Sequence, residues 1–329
     1  MLALPLVTNG QSEPPAASPW TVEVDVSPQL AADLIREQFP DLGAQQVAVL
    51  ATGWDNIAFL VDSRWLFRFP RRAVAVPGVR REIAMLPRLA AVLPLPIPDP
   101  RFVGQPSARY PWPFFGARLL PGAELADSGL ADSRRGRAAA SIGHFLRMLH
   151  DPGLVALVQG ADLPVDPMRR ASPPVRARMA RKVLGRLTRA GIWPTDSDVS
   201  CLLEQAESGT ADVPTDQATG DRLVVCHGDL HVRHLLVDRD GAATGVIDWG
   251  DLSLADPAVD LSIAYLGFAG NPRADLLAAY GRPVGAQREL AARACAVSVA
   301  AALVEYAAAD DRAELLREGL AGLRRAVAA

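Results

Sequence analysis

The chain has 329 residues, 50% hydrophobic and 22% charged, which is enough to bury a large core in two lobes and excludes a disordered chain. Its net charge of −3 gives no general attraction to nucleic acid or an anionic membrane, and Cys201, Cys226 and Cys295 are too scattered for a disulfide framework or a zinc site. The N-terminal MLALPLVTNG lacks the basic flank of a signal peptide, and the longest apolar stretch, Ala294 to Val304, falls short of the ~20 residues of a membrane span, so a cytoplasmic monomer or weak dimer with no membrane or nucleic-acid partner is expected.

Residues 1–20 are rich in Pro, Ser and Ala without periodicity and read as a loose leader. Ser27-Pro28 then forms the N-cap and first position of a helix with Leu30, Leu34 and Ile35 on its apolar side. Between Val47 and Phe69 two strand-like runs are broken at Gly53. In WLFRFP, Trp65, Phe67 and Phe69 share one face, while Leu66 and Arg68 point to the other. A helix follows with Val79, Ile83 and Leu86 along one side and Glu82 within it; Pro87 should bend or end its regular part. PLPIPDP is an extended connector, and RFVG and PFFGARLL read as strands before a turn at Pro121-Gly122.

Beyond that turn the pattern is mainly helical. Ile142, Phe145, Leu146 and Leu149 mark one helix. Val175, Met179, Val183 and Leu187 mark a second, with Gly191 at its C-terminal end. Arg176, Arg178, Arg181, Lys182, Arg186 and Arg189 cover the other side of that second helix and read as a solvated face. Two short strand-like runs, RLVVCHGDL and ATGVIDWGD, interrupt the helices, and the last 40 or so residues are helical and alanine-rich. The order is α+β: a β-rich half, then a helical half with a small β insertion.

The chemistry concentrates in CHGDLHVRHLLVD, where three histidines and an aspartate fall within eight residues. A second apolar run delivers Asp248 into Trp-Gly-Asp. Two buried-strand signals each ending in an aspartate suit a metal-assisted site, because neighbouring carboxylates repel unless a cation lies between them. Asp229 is followed five positions later by His234, and Asp248 lies 14 further on. Protein kinases use an Asp, a metal-binding Asn five residues later, and a metal-binding Asp on the next strand.

HGDLHVRHLLVD, GVIDWGD and ADPAVDL, preceded in order by GWDNIAFLV, WLFRFPRR, REIAMLPRL and FLRMLH, resemble the aminoglycoside and macrolide phosphotransferase family over roughly residues 47–265. The resemblance implies a bilobal protein-kinase-like fold. Its β-rich, nucleotide-binding N-lobe would be residues 21–116 and its hinge 117–122. A mainly helical C-lobe would occupy 123–329, with a catalytic loop at 226–238 and a metal-binding strand at 244–251. It further implies transfer of the γ-phosphate of ATP or GTP, with Mg2+, to a hydroxyl of a small molecule, a macrolide- or aminoglycoside-type antibiotic. A metabolic kinase for a sugar or amino alcohol and a non-catalytic nucleotide-binding module are the alternatives.

By the same resemblance Asp229 is the catalytic aspartate and Asp248 the magnesium-binding one. His234 stands where Asn is usual and where macrolide-modifying members have His. It could touch metal through water, bond Asp229 or a phosphate, or serve structure alone. Arg68 stands where a phosphate-binding lysine is usual, since the only lysine is Lys182; Glu82 would be its ion-pair partner, and Arg71 and Arg72 fallback phosphate contacts. Gly53 lies where the loop over the phosphates should turn. His227 and Gly228 would shape the catalytic loop, with Asp256 and Asp260 bracing it. His231 is either near the site or a solvated loop residue, and Cys226 a buried strand residue.

Overall fold

The structure is a computed structural model that describes residues 22–53, 55–158, 162–209 and 223–328; the expected leader lies outside them. The chain opens with α1 (Pro28–Gln38), where the Ser27 hydroxyl accepts from the Leu30 amide at 3.1 Å and so satisfies one of the free amides at the helix start. There follow β1 (Val47–Thr52), β2 (Asn56–Val61), β3 (Trp65–Pro70), α2 (Val76–Ala90), β4 (Pro100–Gly104) and β5 (Phe114–Arg118). The strands form one antiparallel sheet in the order β1-β2-β3-β5-β4.

The period-two alternation of β3 splits this lobe into two layers. Phe67 and Phe69, with Phe59 of β2 and Phe114 of β5, turn to the side covered by α1, where Leu34 and Ile35 complete a buried cluster. Phe69 and Phe114 stack at 4.2 Å between ring centroids. Leu66 and Arg68 occupy the opposite face, where Val79 and Ile83 of α2 pack on Phe115 and Ala117. Of the two outcomes expected at Pro87, the helix does not end there but runs on to Ala90. A proline removes one amide donor and crowds the preceding turn, and the burial of Met85, Leu86 and Leu89 offsets that cost.

The second lobe begins with β6 (Ala123–Glu124), then α3 (Gly136–Leu149), α4 (Pro152–Leu157), α5 (Pro173–Arg189) and α6 (Ser197–Ser208). Four short strands follow: β7 (Val224–Cys226), β8 (Leu235–Val237), β9 (Ala243–Val246) and β10 (Ser253–Ala255). β7 pairs with β10, and β8 lies between β6 and β9, all antiparallel. Helices α7 (Ala258–Leu266), α8 (Gly270–Tyr280), α9 (Ala286–Ala309) and α10 (Ala313–Val327) complete the lobe. Among the described residues α9 alone has the length and apolarity of a membrane span, but 67% of its apolar window is buried among other helices, as a core helix would be.

α5 departs from its sequence reading. Its buried side is Ala177, Ala180, Leu184 and Leu187, whereas Met179 is exposed. Nor is its basic side simply solvated. Arg176 is buried with its guanidinium on the Met168 carbonyl, Arg181 pairs with Glu207 of α6 at 3.1 Å, and Arg186 grips Glu305 of α9 at 2.6 and 2.8 Å. Arginines reach neighbouring helices through long stems, so apolar periodicity alone misjudges which face such a helix buries.

The C-terminal helix is fastened by a buried charge network. Glu318 of α10 accepts from Arg135 at 2.7 and 2.9 Å and from Arg325 at 2.7 Å, while Arg325 also holds Asp132. Substituting Glu318→Ala strands two buried guanidinium groups, and urea unfolding should show a loss of about 3 kcal/mol. The exposed Glu314, paired with Arg317, should cost under about 0.5 kcal/mol on the same change.

Candidate active site

The two small sheets of the second lobe carry the carboxylates and histidines picked out from sequence. The loop from His227 to His234 joins β7 to β8, and Asp248 follows β9. The strand ends at Val246, so Asp248 is presented by a turn and not by the 244–251 strand read from sequence. Its φ of 64° is a conformation that aspartate tolerates better than most residues.

Asp260, fully buried on α7, holds the loop. Its carboxylate accepts from the amides of His227 (2.8 Å) and Gly228 (3.0 Å) and contacts the His150 ring at 3.2 Å, whose other nitrogen meets the Tyr280 hydroxyl at 3.1 Å. Burial opposes its ionisation, but the bonds from His150 and the backbone keep its carboxyl below the usual range. Gly228 has φ of 90°, and a Cβ there would stand 2.1 Å from the Asp251 carbonyl oxygen, so only glycine lets the two loops touch. Asp256 meanwhile caps the start of α7 through the Ala258 amide and pairs with Arg288 of α9.

The histidines are ordered by the acceptors around them. His227 Nε2 donates to the Ile247 carbonyl at 2.9 Å and its Nδ1 accepts from the Asp229 amide at 3.2 Å, while burial lowers its pKa to about 4. His231 is no solvated loop residue: it is buried and stacks on His234 at 3.9 Å between centroids. His234 Nδ1 lies 2.7 Å from the Asp229 backbone carbonyl. A carbonyl only accepts, so that nitrogen carries a proton. Nε2 faces Asp248 Oδ2 at 3.5 Å. A histidine that donates its far nitrogen to a carbonyl is arranged as metal-binding histidines are.

Arg68 reaches this cluster from the other lobe. It donates to Glu82 of α2 at 3.0 Å and to Asp248 Oδ1 at 2.8 Å, and Glu82 also accepts from the Trp249 amide at 3.2 Å. Burial raises the Glu82 carboxyl to about 7 although Arg68 works against it. Burial likewise opposes charge on Asp248, yet Arg68 and His234 hold its carboxyl well below the usual range. Arg68 Nε and Glu82 Oε2 are buried without partners, polar capacity that a ligand's oxygens or a cation could use. Helix α2 sits tightly on the Asp248 turn: Arg81 donates to the Gly250 carbonyl at 2.9 Å, and a Cβ on Gly78 would come within 2.8 Å of that same oxygen.

The structure thus gathers Asp229, His234, Asp248, Arg68 and Glu82. Gly53 stands apart in the β1–β2 turn, its amide on the Asn56 carbonyl at 2.8 Å and its carbonyl receiving Arg71 at 3.3 Å. Arg72 pairs with Asp55 beside it at 2.5 Å. Trp54 is outside the described residues. Sequence reading missed two members, Arg170 and Asp251: Arg170 donates to Asp229 Oδ1 at 2.9 Å and to Asp251 Oδ2 at 2.8 Å. Asp229 and Asp248 keep 28% and 45% of their side-chain surface open, so a ligand can reach both.

A family profile described as "Phosphotransferase enzyme family" matches residues 46–317, most of the chain and every site residue above. The chain belongs to the phosphotransferase enzyme family. This phosphotransferase shares its bilobal kinase-like fold with solved structures. One is the GDP and kanamycin complex of APH(2")-IIia, at TM-score 0.62 and 23% identity over 90% of this chain and 97% of that one. Another is macrolide 2'-phosphotransferase MphH from Brachybacterium faecium, at TM-score 0.54 and 22% identity over 88% and 98%. An uncharacterized protein of Bacillus subtilis (strain 168), YcbJ, is 41% identical over 59 residues, which is 18% of this chain and only 19% of that protein's length.

Asp260 provides a test of the loop's support. Asp260→Asn removes the charge that two backbone amides and His150 share, and should cost about 2–3 kcal/mol at neutral pH. A carboxyl held low in the folded state contributes stability above its unfolded pKa, ~3.9, which disappears as acid protonates it. The variant should therefore lose less stability than the parent on acidification below about pH 4, as read by thermal unfolding across pH.

Proposed function

We propose that the protein transfers the γ-phosphate of ATP or GTP to a hydroxyl of a small molecule, with a macrolide- or aminoglycoside-type compound as acceptor. The observation that carries the reading is the facing of Asp229 and Asp248 across His234, with Arg68 and Glu82 behind Asp248. A structural neighbour solved with kanamycin and another named a macrolide 2'-phosphotransferase support the acceptor class, and GDP in the first supports a nucleotide site. The backbone of residues 117–122, as the interlobe hinge, would read the purine edge.

In this reading the acceptor hydroxyl donates a hydrogen bond to Asp229, which orients its oxygen for in-line attack and receives its proton as the new O–P bond forms and the bond to the leaving diphosphate breaks. Arg68, braced by Glu82, is placed to donate to phosphate oxygens with a fork that needs no proton adjustment. Asp248 and His234 Nε2 would hold magnesium, which supplies charge neutralisation to the phosphates when bound. The β1–β2 turn at Gly53, tied back by Arg71, would cover the phosphates.

Thermal shift with ATP and GTP, each with and without magnesium, followed by transfer assays on an antibiotic panel and on sugars and amino alcohols, tests the reading. Absence of both nucleotide stabilisation and phosphoryl transfer would overturn it; transfer confined to metabolites would replace the acceptor class. Asp229→Asn should lower turnover by about a thousandfold while leaving nucleotide affinity within about twofold. Asp248→Asn should damage both turnover and magnesium-dependent affinity, as titration calorimetry would record.

A further inference from the structure

Arg170 belongs to no motif of the family reading, yet it donates directly to the Asp229 carboxylate. Its two terminal nitrogens divide between Asp229 Oδ1 at 2.9 Å and Asp251 Oδ2 at 2.8 Å. The second oxygen of Asp229 is left over. Its nearest charged or ring partners are His231 Nε2 at 3.7 Å and His234 Nδ1 at 3.9 Å, both beyond hydrogen-bond range.

The segment delivering Arg170 is built onto the catalytic sheet. The Leu254 amide of β10 donates to the Pro164 carbonyl, and the Asp166 amide donates to the Leu254 carbonyl, each at 2.9 Å. The Asp166 carboxylate then accepts the amides of Arg170 at 2.7 Å and Ala171 at 2.9 Å. Since β10 also pairs with β7, which leads into the catalytic loop, the arginine and the aspartate hang from two edges of the same strand. Only 14% of the Arg170 side chain is exposed. A guanidinium buried between two carboxylates costs desolvation that its pairing roughly cancels, so a gain in stability does not account for it.

We propose that Arg170 is a positioning residue: by fixing Asp229 Oδ1 it presents Oδ2, at one orientation, to the acceptor hydroxyl. The proposal rests on the phosphotransfer reading above. A lysine retains the charge but cannot form both bonds in one plane, so Arg170→Lys and Arg170→Ala should fall in that order.

The measurement is hydrolysis of magnesium–ATP and magnesium–GTP with water as acceptor, together with calorimetric nucleotide affinity and a crystal structure of Arg170→Ala. For Arg170→Ala, kcat should drop by about tenfold to a hundredfold with the nucleotide dissociation constant within about twofold. Added guanidinium should restore part of the rate, and the Asp229 carboxylate should be found rotated. Arg170→Lys should lie between the two and answers the question if the alanine variant does not fold. Parental kcat in the lysine and alanine variants, an unmoved Asp229 carboxylate, or a loss confined to nucleotide affinity would each overturn the proposal. A parent that neither turns over with water or any acceptor of the panel nor gains stability from either nucleotide, or full activity of Asp229→Asn, would instead remove the phosphotransfer reading itself.

Discussion

One guanidinium ties the molecule together. Arg68 leaves the N-lobe sheet on the face opposite the aromatic core, meets Glu82 on the helix packed against that face, and ends on Asp248 in the other lobe. The same Glu82 oxygen accepts the Trp249 amide, so strand, helix and turn converge on two side chains. Glu82 is buried and Arg68 keeps only 15% of its side chain exposed. Such burial is costly for unpaired charge, which explains why the contacts are short and why α2 is drawn close enough to the Asp248 turn that Gly78 can carry no side chain. Lobe geometry and site geometry therefore depend on the same atoms.

The loop from His227 to His234 is organised by a second carboxylate of a different kind. Asp260 touches no ligand position; it gathers backbone amides and His150 from inside the helical core and so converts the packing of α7, α3 and α8 into the shape of the loop. Around it, carboxylates and arginines alternate: Asp229 with Arg170, Asp251 with Arg170, Asp248 with Arg68. Paired in this way, three acidic groups can occupy one loop cluster without mutual repulsion dominating, and each carboxylate retains surface toward the cleft.

Much of this was legible in residue order. The alternation of WLFRFP placed Arg68 opposite the phenylalanines, Ser27-Pro28 marked a helix start, and the spacing from Asp229 through His234 to Asp248 identified the carboxylates that face each other. The failures share a cause. Pro87 sits inside a helix because buried neighbours outweigh its lost hydrogen bond, and α5 buries Ala177, Ala180 and Leu184 beside the expected Leu187 while Met179 stays exposed, because its arginines reach acids on α6 and α9. Both are cases in which contacts distant in sequence overrule a local preference.

The sequence by itself determined which groups are available and which strands and helices carry them, because side-chain period and motif spacing are local properties. Tertiary structure alone decided the rest. That His234 turns Nε2 on Asp248 follows from a bond to the Asp229 carbonyl, a matter of backbone direction that no residue type encodes. That Arg170 meets Asp229, 59 positions away, follows from the 164–166 segment and β7 lying on opposite edges of β10. Such pairings exist only once the small sheet has formed, since strand pairing between distant segments is set by how the whole chain packs and not by either segment alone.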